Sequence, residues 1–111
     1  MRALAFAGIF AGSAAAAQDF APVAEDAAIT ALLAGQVVVF DAYTYQSFGA
    51  DGRTQFVTER MADGLWEARD GRYCSQWPPS ERWDCYDLSV DGQDVRFTSD
   101  TGVTSAGVIA P

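Results

Sequence analysis

The sequence contains no histidine and no lysine, and its seven basic residues are all arginine. Without histidine the chain cannot build a Ser-His or Cys-His catalytic relay, an imidazole metal ligand, or an imidazole base that works near neutral pH. Without lysine it cannot form a Schiff base or the phosphate-binding lysine of a Walker motif. These absences exclude the usual routes to catalysis, so the sequence predicts no catalytic residue, no metal site and no cofactor.

Positive charge is scarce as well. Fifteen Asp and Glu residues outnumber the seven Arg residues, which gives the 111 residues a formal charge of −8 at pH 7. Nucleic-acid binding needs a basic surface, and so does attraction to anionic membranes. The charge therefore excludes nucleic acid as a partner and argues against an anionic lipid surface.

The first 17 residues have the pattern of a secretory signal peptide. A positive start at Met1-Arg2 is followed by an uncharged apolar run at 3–12 and by small residues at 14–17. The run is too short to span a bilayer, so no stable membrane insertion is expected after cleavage. The sequence predicts a signal peptide at 1–17, a flexible leader at 18–24 and one domain at 25–111, in the periplasm or outside a bacterial cell.

The two cysteines, Cys74 and Cys85, are expected to form a structural disulfide. Their spacing is unlike a C-x-x-C redox motif, and no histidine is present to complete a zinc site. A disulfide closing a loop of this length stabilises a fold by roughly 3 kcal/mol in the chain-entropy model. Such a bond also fits an exported domain, because oxidising compartments preserve it.

Hydrophobic periodicity predicts one short helix followed by eight strands. In residues 25–34, Ile29, Leu32 and Leu33 form a helical stripe that ends at Gly35. After Gly35 the period is two, which predicts strands at 36–41, 43–48, 53–59, 65–68, 72–77, 83–90, 94–99 and 103–109. Because Asp-Gly tolerates the positive φ of tight hairpins, turns are expected at Asp51-Gly52, Asp63-Gly64, Asp70-Gly71 and Asp91-Gly92.

The predicted turns give strand registers that agree with one another. The expected cross-strand pairs are Ala68 with Tyr73, Cys74 with Cys85, Tyr73 with Tyr86, Arg72 with Asp87, Tyr86 with Phe97, Leu88 with Val95, and Asp87 with Arg96. These registers place apolar side chains on one face of the sheet and polar or charged ones on the other. The fold is therefore predicted as mainly β, an antiparallel meander curled into a small barrel or half-barrel, with the short N-terminal helix closing one end.

The loop from Trp77 to Trp83 is the candidate binding site. Its two tryptophans flank a rigid Pro-Pro turn, and the loop also carries Glu81 and Arg82. Trp and Arg at an exposed tip are typical of binding hot spots, and a Pro-Pro turn loses little entropy on binding. For the two tryptophans themselves, the favoured interpretation is that both fold back over the disulfide or the barrel rim, as aromatic side chains beside a disulfide in a small core usually do.

Tyr43, Tyr45 and Phe48 form a second aromatic cluster, with the two tyrosines on one face of their strand and Phe48 on the other. Core packing is the favoured interpretation. If these rings line an open barrel mouth instead, they would suit a small apolar or aromatic ligand.

The spacing of Trp and Cys resembles that of a group of small exported alphaproteobacterial proteins of unknown function. The pattern has a G-x-W strand, a Y-C-x-x-W strand, a W-x-C-Y strand and a D-G turn, matched here by Gly64-Leu65-Trp66, Tyr73-Cys74-Ser75-Gln76-Trp77, Trp83-Asp84-Cys85-Tyr86 and Asp91-Gly92. An L-x-G segment, Leu33-Ala34-Gly35, also belongs to it. The resemblance implies a periplasmic or secreted β-domain with one disulfide, and it transfers no catalytic residue.

Besides a structural envelope protein that acts by self-association, two functions fit these observations. The first is an exported, non-enzymatic binding module that recognises a protein or envelope component, as an inhibitor would, through the loop from Trp77 to Trp83. The alternative is a small-molecule carrier whose aromatic side chains line a barrel cavity.

Overall fold

The computed structural model describes residues 19–111, and the predicted signal peptide at 1–17 lies outside this range. The described residues form one helix and nine strands. In chain order these are β1 Ala21–Val23, α1 Asp26–Leu33, β2 Gln36–Asp41, β3 Thr44–Phe48, β4 Arg53–Val57, β5 Met61–Arg69, β6 Arg72–Gln76, β7 Trp83–Asp91, β8 Asp94–Thr98 and β9 Thr104–Ile109. Within residues 19–111, no helix is long and apolar enough to cross a bilayer.

Strands β2 to β9 form a closed antiparallel barrel. Each strand pairs with the next one in the chain, and β9 returns to pair with β2 through Val38 with Ile109 and Val39 with Val108. The predicted fold class is thus confirmed, and of the two shapes expected, barrel and half-barrel, the structure has the closed one. Closure satisfies the backbone groups that the edge strands of an open sheet would leave unpaired.

Strand β1 covers an edge of β7 that the barrel itself leaves incomplete. β6 pairs with β7 only as far as Tyr73 and Tyr86, so the adjoining edge of β7 at 88–90 needs another partner. β1 supplies it, pairing Val23 with Leu88 and Ala21 with Val90. This strand lies in the segment 18–24, for which the sequence predicted a leader and no strand.

Helix α1 closes one end of the barrel, as predicted. Ile29 and Leu33 are fully buried and belong to the same apolar core as the inward side chains of the strands. Asp26, in the first turn of the helix, accepts a hydrogen bond of 2.7 Å from the backbone N–H of Gly71. The helix is thereby tied to the β5–β6 turn. We call this end of the barrel the closed end.

The predicted registers of the β5–β6 and β6–β7 hairpins are confirmed. Ala68 pairs with Tyr73, Tyr73 pairs with Tyr86, and Cys74 pairs with Cys85 and is joined to it by a disulfide. Arg72 also forms the expected ion pair with Asp87, at 3.0 Å. The turn at Asp70-Gly71 is a two-residue hairpin turn in which both residues have positive φ, 55° and 77°.

Two of the turn predictions are wrong. Asp63-Gly64 is not a turn but lies inside β5, and the β4–β5 connection is at 58–60. The β7–β8 turn is formed by Gly92 and Gln93, because Asp91 pairs with Asp94. Phe97 therefore pairs with Leu88, not with Tyr86, and Val95 pairs with Val90, not with Leu88. Arg96 pairs with Ser89, not with Asp87.

Candidate binding site

The interior of the barrel is packed in one half and hollow in the other. Toward the closed end the inward positions carry large side chains, among them Val38, Phe48, Trp66 and Leu88, and these are buried. Toward the opposite end the inward positions include small side chains, namely Thr44, Ala62, Ser75 and Ser105. Because small side chains cannot fill a barrel of eight strands, a cavity of about 610 Å³ remains there.

This cavity opens between the loops that join β2 to β3, β4 to β5, β6 to β7 and β8 to β9. Its wall is mainly aromatic, and six rings take part: Phe40, Phe56, Tyr73, Trp77, Tyr86 and Phe97. The rings come from β2, β4, β6, β7 and β8, with Trp77 directly after β6. The other three barrel strands, β3, β5 and β9, contribute smaller or polar side chains: Thr44, Gln46, Ala62, Ser105 and Ala106. Among the described residues that line it, none carries a formal charge at neutral pH.

Trp77 is held in the cavity wall by three contacts. Its indole N–H donates a hydrogen bond of 3.1 Å to the hydroxyl of Ser75, and its ring meets Phe56 edge-on with centroids 6.4 Å apart. Its ring also lies against Gly64, where a Cβ atom would be only 2.6 Å from the indole Cε3. The half-buried Trp77 ring is thus fixed beside the cavity instead of projecting into solvent.

A polar network crosses the inner part of the cavity. The Gln46 side-chain amide donates hydrogen bonds of 2.9 Å to the Thr54 hydroxyl and 2.9 Å to the Tyr73 hydroxyl. The Thr54 hydroxyl in turn donates to the backbone carbonyl of Ser47 at 2.7 Å. Among the described residues, every side-chain nitrogen or oxygen atom that is completely shielded from solvent has a hydrogen-bond partner, as burial of polar groups requires.

The environment of Tyr73 keeps its phenol neutral. Burial raises the pKa of Tyr73 to about 12, although hydrogen bonds with Ser75 and Gln46 partly oppose that shift. Burial also raises the pKa of Tyr86, and the nearby Asp84 carboxylate adds to the effect. Both phenols therefore remain protonated hydrogen-bond donors throughout the physiological range.

The structure places the four residues of the predicted loop site in different surroundings. Trp77 lines the cavity. Trp83 pairs with Gln76, and the alternation of side chains places both of these residues on the outside of the barrel. The Arg69 guanidinium lies 5.1 Å from the centroid of the Trp83 ring. Glu81 and Arg82 are exposed at the loop, and Arg82 forms an ion pair of 3.1 Å with Asp84. The two tryptophans are half-buried and do not form one shared surface.

The second aromatic cluster also divides. Phe48 is buried in the core, stacked on Phe97 with centroids 6.2 Å apart. Tyr43 is 83% exposed at the β2–β3 turn and Tyr45 is 41% exposed on the outer face of β3. Core packing, the favoured interpretation for the cluster, therefore holds for Phe48 and is wrong for the two tyrosines.

Sequence reasoning missed Gln46 and Phe56 as parts of a site. Gln46 occupies an inward position between Thr44 and Phe48 and is only 6% exposed. A polar residue at a position where the alternation demands an apolar one was the available signal. Phe56 follows the same alternation, but only the three-dimensional structure shows that its ring faces a hollow and not a packed core.

Comparisons with known proteins give no relative: no family model matches the chain, and neither a curated protein nor a solved structure is significantly similar to it.

Proposed function

We propose that this protein is an exported, non-enzymatic carrier that binds a small, largely apolar molecule in the barrel cavity. The observation that carries the proposal is the cavity itself, about 610 Å³ in volume, open at one end and lined by six aromatic rings. Ligand sites typically have volumes of about 300–1,000 Å³ and mostly apolar walls with a few polar groups. Burying a ligand against these rings would remove apolar surface from water, which is the main driving force for such binding.

An oxidising compartment fits this proposal. The Cys74–Cys85 disulfide joins directly paired residues of β6 and β7, the strands that lead into the loop beside the cavity. Disulfides of this structural kind are typical of secreted and periplasmic domains. We therefore place the carrier in the periplasm or the medium, after removal of the signal peptide predicted at 1–17.

The proposal is tested with N-phenyl-1-naphthylamine, an uncharged dye whose fluorescence rises in apolar surroundings. Residues 18–111 should bind the dye saturably. Ala62→Trp is expected to abolish this binding, because Ala62 lines the cavity and a bulky ring there would occupy it. Met61→Trp is the matched control, since Met61 is the adjacent residue of β5 and is 59% exposed.

Circular dichroism of both variants must first show an unchanged β-fold. Dye binding that is absent in the native protein, or that survives Ala62→Trp unchanged, would contradict the carrier function. The binding module that acts on a protein or envelope component through Glu81, Arg82 and the neighbouring tryptophans would then be the stronger proposal.

A further inference from the structure

The inner part of the cavity contains a pair of polar residues that is shielded from solvent. Gln46 is 6% exposed and Tyr73 is 3% exposed, and both line the cavity. The other polar lining residues are less suited to fix a ligand. Thr44 is half-buried and Ser105 is exposed near the mouth, where water competes for hydrogen bonds, and Ser75 already accepts a hydrogen bond from Trp77.

The hydrogen bonds that Gln46 and Tyr73 already make determine which donor and which acceptor remain for a ligand. A side-chain amide has two hydrogens, and Gln46 donates one to Thr54 and one to Tyr73. Its carbonyl oxygen Oε1 is therefore left as an acceptor. The Tyr73 oxygen accepts from Gln46, and its hydrogen bond with Ser75 also lowers its pKa, as a bond that the oxygen accepts does, so the hydrogen of the phenol is left to donate. An acceptor and a donor thus lie on neighbouring groups, whose Nε2 and Oη atoms are 2.9 Å apart.

Charge narrows the class of ligand further. The described residues that line the cavity include no Arg to pair with an anion and no Asp or Glu to pair with a cation. A charged ligand would lose its hydration without gaining a counter-ion, which is costly in an apolar site. The negative charge of the whole chain, −8, adds a long-range penalty for anions.

We propose that the cavity selects uncharged aromatic molecules that carry a hydroxyl group, and that this hydroxyl is held between Tyr73 Oη and Gln46 Oε1. A hydroxyl suits the pair because it can accept from Tyr73 and donate to Gln46 at the same time. The aromatic wall favours a ring, since edge-on and offset contacts between rings add to the burial of apolar area. This inference rests on the carrier function proposed above and specifies its ligand.

Three naphthalenes of similar size test the effect of a hydroxyl group and the effect of a negative charge separately: 2-naphthol, 2-methylnaphthalene and 2-naphthoate. Their affinities for residues 18–111 at pH 7 are measured by isothermal titration calorimetry. 2-Naphthol is expected to bind about tenfold more tightly than 2-methylnaphthalene, as one or two hydrogen bonds in a shielded site would give. 2-Naphthoate, which is anionic at this pH, is expected to bind more weakly than 2-naphthol.

Tyr73→Phe and Tyr45→Phe form the matched pair of variants. Tyr73→Phe keeps the ring and removes the hydroxyl, so the ratio of the affinities for 2-naphthol and 2-methylnaphthalene should fall to near parity. Tyr45→Phe removes a hydroxyl from the outer face of β3, where it does not line the cavity, and should keep the preference.

Equal affinities of the native protein for 2-naphthol and 2-methylnaphthalene would overturn the proposed hydroxyl site between Tyr73 and Gln46, even if neither variant folds. They would leave the carrier function standing. Tighter binding of 2-naphthoate would overturn the argument from charge. If neither N-phenyl-1-naphthylamine nor any of the three naphthalenes binds, the carrier function itself fails, and the ligand class fails with it.

Discussion

Gly64 shows how a single small residue shapes the candidate site. It lies on the inner side of β5, and a Cβ atom there would be 2.6 Å from the backbone oxygen of Gln76 and 2.6 Å from the Trp77 ring. Both approaches are far inside van der Waals contact, and the carbonyl belongs to the backbone and cannot rotate away. The absence of a side chain at Gly64 is therefore what lets Trp77 lie flat against the barrel wall.

Gly64→Ala is expected to lower the free energy of unfolding by about 2–3 kcal/mol, as other insertions of atoms into a packed site do. It should also weaken binding of N-phenyl-1-naphthylamine, because the Trp77 ring must move. Gly102→Ala is the control: Gly102 has φ +86° and open space around it, so only backbone strain of about 1–2 kcal/mol applies. Urea unfolding and dye titration measure both effects.

A loss of stability at Gly64→Ala no larger than at Gly102→Ala would contradict the steric argument, and unchanged dye affinity would contradict the role assigned to Trp77. The comparison is informative because Gly102 lies in the β8–β9 loop at the same end of the barrel as the cavity mouth.

The sequence identified Asp63-Gly64 as a turn because it carries the same dipeptide as Asp70-Gly71. The dipeptide reports that a positive φ is tolerated, not that it is needed. At Asp70-Gly71 both residues use it, whereas Gly64 serves the close approach of a ring that comes from another strand. A non-local contact of this kind leaves no mark on the local sequence, and the same is true of the hydrogen bonds that join Gln46 to Tyr73.

At the scale of elements, strand existence could be predicted well and strand register less well. The sequence predicted both ends of β2 correctly, and it predicted a strand at the position of every barrel strand. In the β7–β8 hairpin the turn lies one residue further along than expected, which slides the pairing by two. Because side chains alternate with a period of two, this slide leaves Leu88, Val95 and Phe97 on the inner face.

The same shift in register removes the ion pair that was predicted for Arg96. The expected pair with Asp87 does not form, and the Arg96 guanidinium lies 3.8 Å from the ring centroid of Phe20, which precedes β1. Three residues are too few for a periodicity signal, so β1 could not be recognised from its own sequence. Its position follows from the unpaired edge of β7, which is a property of the folded barrel.

Helix α1 is expected to stabilise the fold by burying the apolar side chains of Ile29 and Leu33 at the closed end of the barrel. A helix of eight residues adds little stability by itself. Leu33→Ala, at a fully buried position, should lower the free energy of unfolding by about 2–4 kcal/mol, the cost of a cavity of that size. Leu32→Ala, at a half-buried position of the same helix, should cost about 1 kcal/mol. Both are measured by urea unfolding followed through tryptophan fluorescence.

Dye affinity provides a second readout for these helix variants. Leu33 is not among the residues that line the cavity, so the folded Leu33→Ala protein should bind N-phenyl-1-naphthylamine as the native protein does. Equal losses of stability for the two variants would mean that the helix does not act as a plug. A large fall in dye affinity would mean that the two halves of the barrel interior are not separate.

At the scale of the whole molecule, the hollow half of the barrel has an energetic consequence. A domain of this size buries only a modest fraction of its surface, and a cavity forgoes packing contacts that a filled interior would make. The disulfide offsets part of that loss. It lies next to the largest loop at the cavity mouth, 77–82, and it joins strands whose inward residues Tyr73 and Tyr86 form the cavity wall.

Removing the disulfide is therefore expected to weaken the whole fold. The Cys74→Ala/Cys85→Ala protein should lose about 3 kcal/mol of unfolding free energy, because the unfolded chain regains the entropy of an open loop. For a domain of this size that corresponds to a fall in Tm of about 10–20 °C, measured by calorimetry or circular dichroism. Native protein kept under dithiothreitol should melt at about the same temperature as the variant.

Ligand binding allows the cavity and the disulfide to be distinguished. The variant retains every lining residue, so below its Tm it should still bind N-phenyl-1-naphthylamine, and saturating dye should raise its Tm by mass action. A fall in Tm of only a few degrees would contradict the stabilising role given to the disulfide. A variant that is folded but no longer binds the dye would show instead that the disulfide shapes the cavity wall, because it joins the two strands that carry Tyr73 and Tyr86.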